Sequence, residues 1–146
     1  SRTLSGFKTC TFEMSSVNQL PDIAELPSVL ETSQVNEILA KALLAAQTNS
    51  SVCPIEAVGC MVDAIFARGH RHDEQFDSEL AREICSWIMN NWVGCDLEFA
   101  DAATTVLTNL PGKTVGQQIQ NLVESEQREP VVQMLKQCVV ERENAG

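Results

Sequence analysis

Two histidines and two carboxylates crowd one short stretch, Gly69-His70-Arg71-His72-Asp73-Glu74. Imidazoles beside carboxylates are the groups that ligate a divalent metal or relay protons. A hydrolytic zinc centre, however, wants about three well-separated protein ligands in fixed geometry. His70 and His72 are the only histidines in the chain and sit in this one segment, so the passage reads as a polar connector between helices. An enzyme centred on His70 and His72 is kept as the remote alternative.

The cysteines are the next candidates. Cys10, Cys53, Cys60, Cys85, Cys95 and Cys138 form no CxxC pair and no tight Cys/His cluster, which removes zinc-ribbon and dithiol-redox readings. Cys60, Cys85 and Cys138 fall on or beside apolar stripes, where burial raises a thiol's pKa and quiets it as a nucleophile. The seven glycines are scattered rather than gathered into a phosphate-cradling loop. The expectation is therefore a protein with no catalytic, metal or cofactor site, acting by binding.

Carboxylates offer a different chemistry. Between Asp73 and Asp101 lie Asp73, Glu74, Asp77, Glu79, Glu83, Asp96, Glu98 and Asp101, eight acids against Arg82 alone. Glu79 and Glu83 stand four apart on one helical face and repel, a cost that a partner's Lys or Arg would relieve. Asp73, Glu74, Asp77, Glu79, Glu83, Asp96 and Glu98 are expected to form a docking surface for a basic protein. Trp92, in the turn 90–94, is a candidate half-exposed anchor for it. An acidic face that only maintains solubility is the plain alternative.

The whole chain carries the same bias. Ten basic residues face twenty acidic ones, for a net charge of −10 and a pI near 4.5. Such a field repels phosphate backbones and anionic lipid headgroups, disfavouring nucleic-acid and peripheral-membrane binding, and draws in a basic protein partner. No apolar run approaches the roughly 18 residues of a spanning helix, so membrane insertion is not expected. The chain opens SRTLSGFKTC, without Met or an apolar signal core, which suits either a mature protein or a trimmed piece.

These residues must be positioned by helices. The length of 146 residues fits one domain, and with five Phe, two Trp and no Tyr the interior must be built from aliphatic side chains and Cys, which suits close helix packing. Pro21 and Pro27 break residues 1–31 into an irregular N-terminal arm expected to pack on the body. From 32 to 146 the pattern is helical. Val35, Ile38, Leu39, Ala42, Leu43 and Ala46 make the first stripe, over 33–47. Pro54 opens a second helix, to 68, carrying Ile55, Val58, Met61, Val62, Ile65 and Phe66. Asp77 or Ser78 caps a third, to about 91, with Leu80, Ile84, Trp87 and Ile88 inward.

Asp96 caps a fourth helix, 97–109, with Leu97, Ala100, Ala103, Val106 and Leu107 inward. Thr114 and Gln117 have the spacing of a capping box for a fifth, to about 124, with Val115, Ile119, Leu122 and Val123. Pro130 opens a sixth with Val131, Leu135, Cys138 and Val139, and residues 141–146 are expected to fray.

Six helices with short loops pair into three αα-hairpins beginning near 33, 78 and 114. These offsets approach the roughly 40–47-residue period of HEAT and armadillo repeats. The fold expected is all-α, stacked αα-hairpins, with a compact bundle as the alternative. In a stack, Cys53 and Cys95 each precede the second helix of a hairpin and lie on one edge, so a Cys53–Cys95 disulfide is geometrically feasible. That coincidence and the even cysteine count favour a periplasmic or secreted location over the cytoplasm. A two-fold homodimer is left open.

Taken together, the hairpins of 33–142 and the acidic stretch 73–101 resemble the small, acidic, helical-repeat immunity proteins of bacterial toxin–immunity pairs. That resemblance implies an inhibitor that covers the active site of a basic toxin or enzyme. The competing expectation is a helical-repeat scaffold or adaptor module of a larger protein.

Overall fold

A computed structural model of the chain describes residues 19–22, 30–67 and 77–145. The stripe of α1 (Thr32–Thr48) is buried at Val35, Ile38, Leu39, Ala42 and Leu43, and the Glu31 N–H ahead of it donates to Gln34 Oε1 at 2.9 Å. α2 (Pro54–Ala67) begins with proline at the one helical position where a missing N–H costs nothing, and Glu56 folds back to accept from the Cys53 N–H at 3.0 Å. α3 (Ser78–Asn90) is capped by Asp77, which accepts from Glu79 N at 2.9 Å and Leu80 N at 3.0 Å. Asp96 does the same for α4 (Leu97–Asn109), accepting from Phe99 N at 2.8 Å.

α5 (Lys113–Ser125) starts one residue ahead of the expected cap. Gly112, at φ 108°, is its N-cap and takes a backbone conformation that L side chains rarely adopt, so the helix is already running at Thr114. Gln117 accordingly serves no capping box and donates to Asn121 instead, at 3.2 Å. α6 (Glu129–Ala145) also departs from expectation, since residues 141–145 stay helical. Arg142 holds this end. Its Nη1 donates to the carbonyls of Leu107, at 3.0 Å, and Leu110, and its Nη2 to that of Gly112 at 2.9 Å. The guanidinium thereby bridges the close of α4 and the N-cap of α5, adding a donor to the Leu107 and Gly112 carbonyls, which also accept from the Leu110 and Gly116 N–H groups, and supplying one to Leu110.

The packing follows a ladder. α1 rests on α2 and α5 on α6; α3 lies between α1 and α5, and α4 between α2 and α6. Across the middle hairpin, Trp87 of α3 meets Phe99 of α4 edge to face, ring centroids 6.2 Å apart. One core runs the length of this ladder, through Leu39, Met61, Ile88, Leu107, Ile119 and Leu135. The chain is all-α, as expected, and helices outnumber every other element among the described residues. The ladder accommodates stacked hairpins and a compact bundle alike. Two stripe residues point outward, contrary to expectation: Phe66 is 71% exposed and Leu97 49%. Both lie at helix ends, where a stripe runs past the neighbour it packs on.

Of the N-terminal arm, Leu20 packs on the core and the Pro21 carbonyl lies 3.8 Å from the Cys60 thiol. Leu30 is fully buried and its N–H donates to the Ala67 carbonyl at 2.7 Å. Residues 1–18 and 23–29 of the arm lie outside the described residues.

Candidate functional site

Side by side, α1 and α3 leave an open groove of about 450 Å³, lined by Ser33, Asn36, Glu37 and Ala40 from α1 and by Asp77, Glu79, Leu80 and Glu83. The spacing explains the lining. Residues 33, 36, 37 and 40 occupy one face of α1, and 79, 80 and 83 one face of α3. Ala40 and half-buried Leu80 give the groove an apolar strip, and four carboxylates supply its charge.

Those carboxylates are not equally available. Asp77 is committed to the α3 cap, and its own N–H donates weakly to Asn36 Oδ1 at 3.4 Å, tying the groove's two walls together. Glu37 pairs with Lys41 at 3.1 Å, an exposed i,i+4 bridge worth about 0.3–0.5 kcal/mol. Glu79 and Glu83 are exposed, and no ion pair among the described residues reaches them. A Lys or Arg side chain laid into the groove would meet both carboxylates, with its methylenes against Leu80 and Ala40.

The acidic surface expected over 73–98 is thus divided. Asp77, Glu79 and Glu83 come together and gain Glu37 and Asn36, which sequence reasoning missed. Stacked hairpins place α1 beside α3, so the polar face of α1 was the place to look for them. Asp96 and Glu98 are exposed at the start of α4 and do not line the groove. Asp73 and Glu74 lie outside the described residues, as do His70 and His72. Trp92 is a correction: it is buried, 5% exposed, and cannot serve as a surface anchor.

Trp92 belongs instead to a polar junction that the sequence did not announce. Its indole N–H donates to Glu126 Oε1 at 2.9 Å. Glu126 also accepts from Arg128 Nε at 2.9 Å, Arg128 Nη2 at 3.1 Å and the backbone N–H groups of Gln127 and Arg128 at 3.1 and 3.0 Å. Its side chain is only 8% exposed. The Arg128 guanidinium, followed by the Arg128 backbone N–H and the Trp92 indole, outweighs burial and holds the Glu126 carboxyl down at about 2. Arg128 Nη1 donates onward to the Cys95 carbonyl, and Nη2 approaches Cys95 Sγ at 3.7 Å. The available signal was the buried need of a Trp N–H for an acceptor.

The expected Cys53–Cys95 disulfide is absent: both thiols are free. Cys53 faces solvent ahead of α2, while half-buried Cys95 turns to Arg128 of the α5–α6 connector, so the two sulfurs have different surroundings. Cys60, Cys85 and Cys138 are free and buried. Burial pushes the thiols of Cys60 and Cys85 up to about 11 and raises that of Cys138. Among the described residues no cluster of three or more His, Cys, Asp or Glu side chains could hold a metal ion, and no helix is long and apolar enough to cross a membrane.

Compared with known proteins, the chain matches no family model, no curated protein and no solved structure.

Proposed function

We propose that this chain is a protein-binding domain of the immunity or inhibitor type, neutralising a basic toxin or enzyme through the acidic groove between α1 and α3. The observation carrying this reading is that Glu79 and Glu83, two exposed like charges on one helix face, line a groove of about 450 Å³ with an apolar strip beside them. Like charges left facing each other are a small standing cost in the free protein, removed when a cation binds. A net charge of −10 adds long-range attraction for a basic partner.

The test is capture from the native host with the full chain and with E79K/E83K as baits, followed by binding kinetics on the basic protein recovered. The reading requires one-to-one binding whose on-rate falls with salt and drops roughly tenfold in the double variant. Binding indifferent to both the salt and the substitutions removes the groove from the reading.

A second reading, a repeat module within a larger protein, is favoured by Leu44 on α1 and Val140 on α6. These side chains, on the first and last helices, are 44% and 47% exposed, as repeats awaiting neighbours would leave them. Dependence of binding on flanking repeats of the parent protein, with no effect of groove variants, would favour this alternative.

A further inference from the structure

Asn49-Ser50-Ser51, in the turn between α1 and α2, is the sole Asn-x-Ser/Thr triplet in the 146 residues, and its middle residue is not proline. Asn49 ends α1 in an extended conformation, φ −113° and ψ 106°, its N–H donating to the Ala45 carbonyl. Its own carbonyl accepts from Val52 N at 3.0 Å, closing the turn. The side chain is half-buried, and its Oδ1 accepts from the Ser51 N–H at 3.0 Å. Ser50, Ser51 and Cys53 are exposed. An asparagine inside a helix could not be drawn into an extended groove without unwinding it, whereas this triplet already stands outside both helices.

We infer that Asn49 is an N-glycosylation acceptor, the sugar donor being a lipid-diphosphate-linked oligosaccharide and the catalyst an oligosaccharyl transferase that reads Asn49 together with the Ser51 hydroxyl. In the transfer, Asn49 Nδ2 forms a bond to the anomeric carbon while the bond from that carbon to the diphosphate oxygen breaks. The lipid diphosphate leaves with the electron pair, and Nδ2 gives up one proton. No oxidant or reductant is involved. A glycan here leaves the acidic groove open: the groove's last α1 residue, Ala40, is nine positions away, about 14 Å along the helix. The inference is independent of what that groove binds.

The experiment is intact-mass analysis of the full chain from its native source, before and after peptide N-glycosidase. The expected result is a mass above the polypeptide's 16.0 kDa that collapses on treatment, with Asn49 recovered as aspartate. The N49Q and S51A variants should lose the whole increment and S51T should keep it, with helical circular dichroism unchanged in all three. An unmodified Asn49 in native-source protein overturns the assignment. So does an increment that survives N49Q.

Discussion

Glu83 and Glu126 are the same residue type put to opposite uses. Glu83 is exposed on α3, beside Glu79, with no ion-pair partner among the described residues. Glu126 is shut between the α3–α4 and α5–α6 turns, with every lone pair answered by Arg128, Trp92 or a backbone N–H. A saturated buried carboxylate is part of the architecture, and its removal leaves other buried groups stranded. An unsatisfied exposed one contributes little to stability and is free to meet another molecule. Within one acidic chain, a carboxylate's role is therefore read from its donors rather than from its charge.

The largest expected effect breaks the buried half of this pair. E126A leaves the Trp92 N–H and the Nε and Nη2 of Arg128 without their carboxylate acceptor, while Nη1 keeps the Cys95 carbonyl. With the Arg128 side chain 35% exposed and able to reach water, the loss should be about 2–3 kcal/mol in urea unfolding. E83A should stay within about 0.5 kcal/mol of the parent. Equal effects from the two would erase the distinction.

Acid sharpens it next. The Glu126 carboxyl is held at about 2, below its ordinary 4.5, so its contribution is complete above pH 4.5 and drains away as pH falls toward 2. Discounted for solvent around Arg128, that contribution is about 2 kcal/mol. Stability measured across this window should fall more steeply in the parent than in E126Q. Parallel curves would show that the carboxylate adds nothing.

A smaller change tests the exposed half. E83K turns the repelling Glu79–Glu83 pair into an attractive i,i+4 pair with the acid N-terminal, and should stabilise the free protein by about 0.5 kcal/mol. If the groove binds a basic partner, the same variant weakens that complex. A destabilised E83K protein would mean that Glu83 has a structural partner after all. Least perturbing is thiol labelling under native conditions. Among the described cysteines Cys53 should react first, while Cys60, Cys85 and Cys138, raised by burial, wait for unfolding. Early reaction of any of those three would reveal local opening of the core.

Legibility in the sequence followed the range of the interaction. The α4 boundaries, 97 to 109, were readable because Asp96 and Pro111-Gly112 punctuate them locally. Asp77 and Pro54 announced their helices in the same way. The α5 start was misplaced because Thr114 and Gln117 imitate a cap, whereas the turn depends on the positive φ of Gly112. For the candidate site, the α3 half could be found by counting acids, but Glu37 and Asn36 join only through helix stacking. Trp92 sits in a turn rich in Asn and Gly, and nothing nearby shows that its acceptor lies 34 residues on. The persistence of α6 likewise depends on Arg142 and carbonyls 30 to 35 residues earlier.

That reach of Arg142 joins two ends that would otherwise move independently. When the final turn of α6 unwinds, the carbonyls of Leu107, Leu110 and Gly112 lose the one guanidinium they share at the same instant, Leu107 and Gly112 keeping only their backbone donors, so the hinge leading into α5 loosens with it. Amide exchange should therefore report a single opening shared by the tail of the last helix and the close of the fourth, and R142A should split it into two.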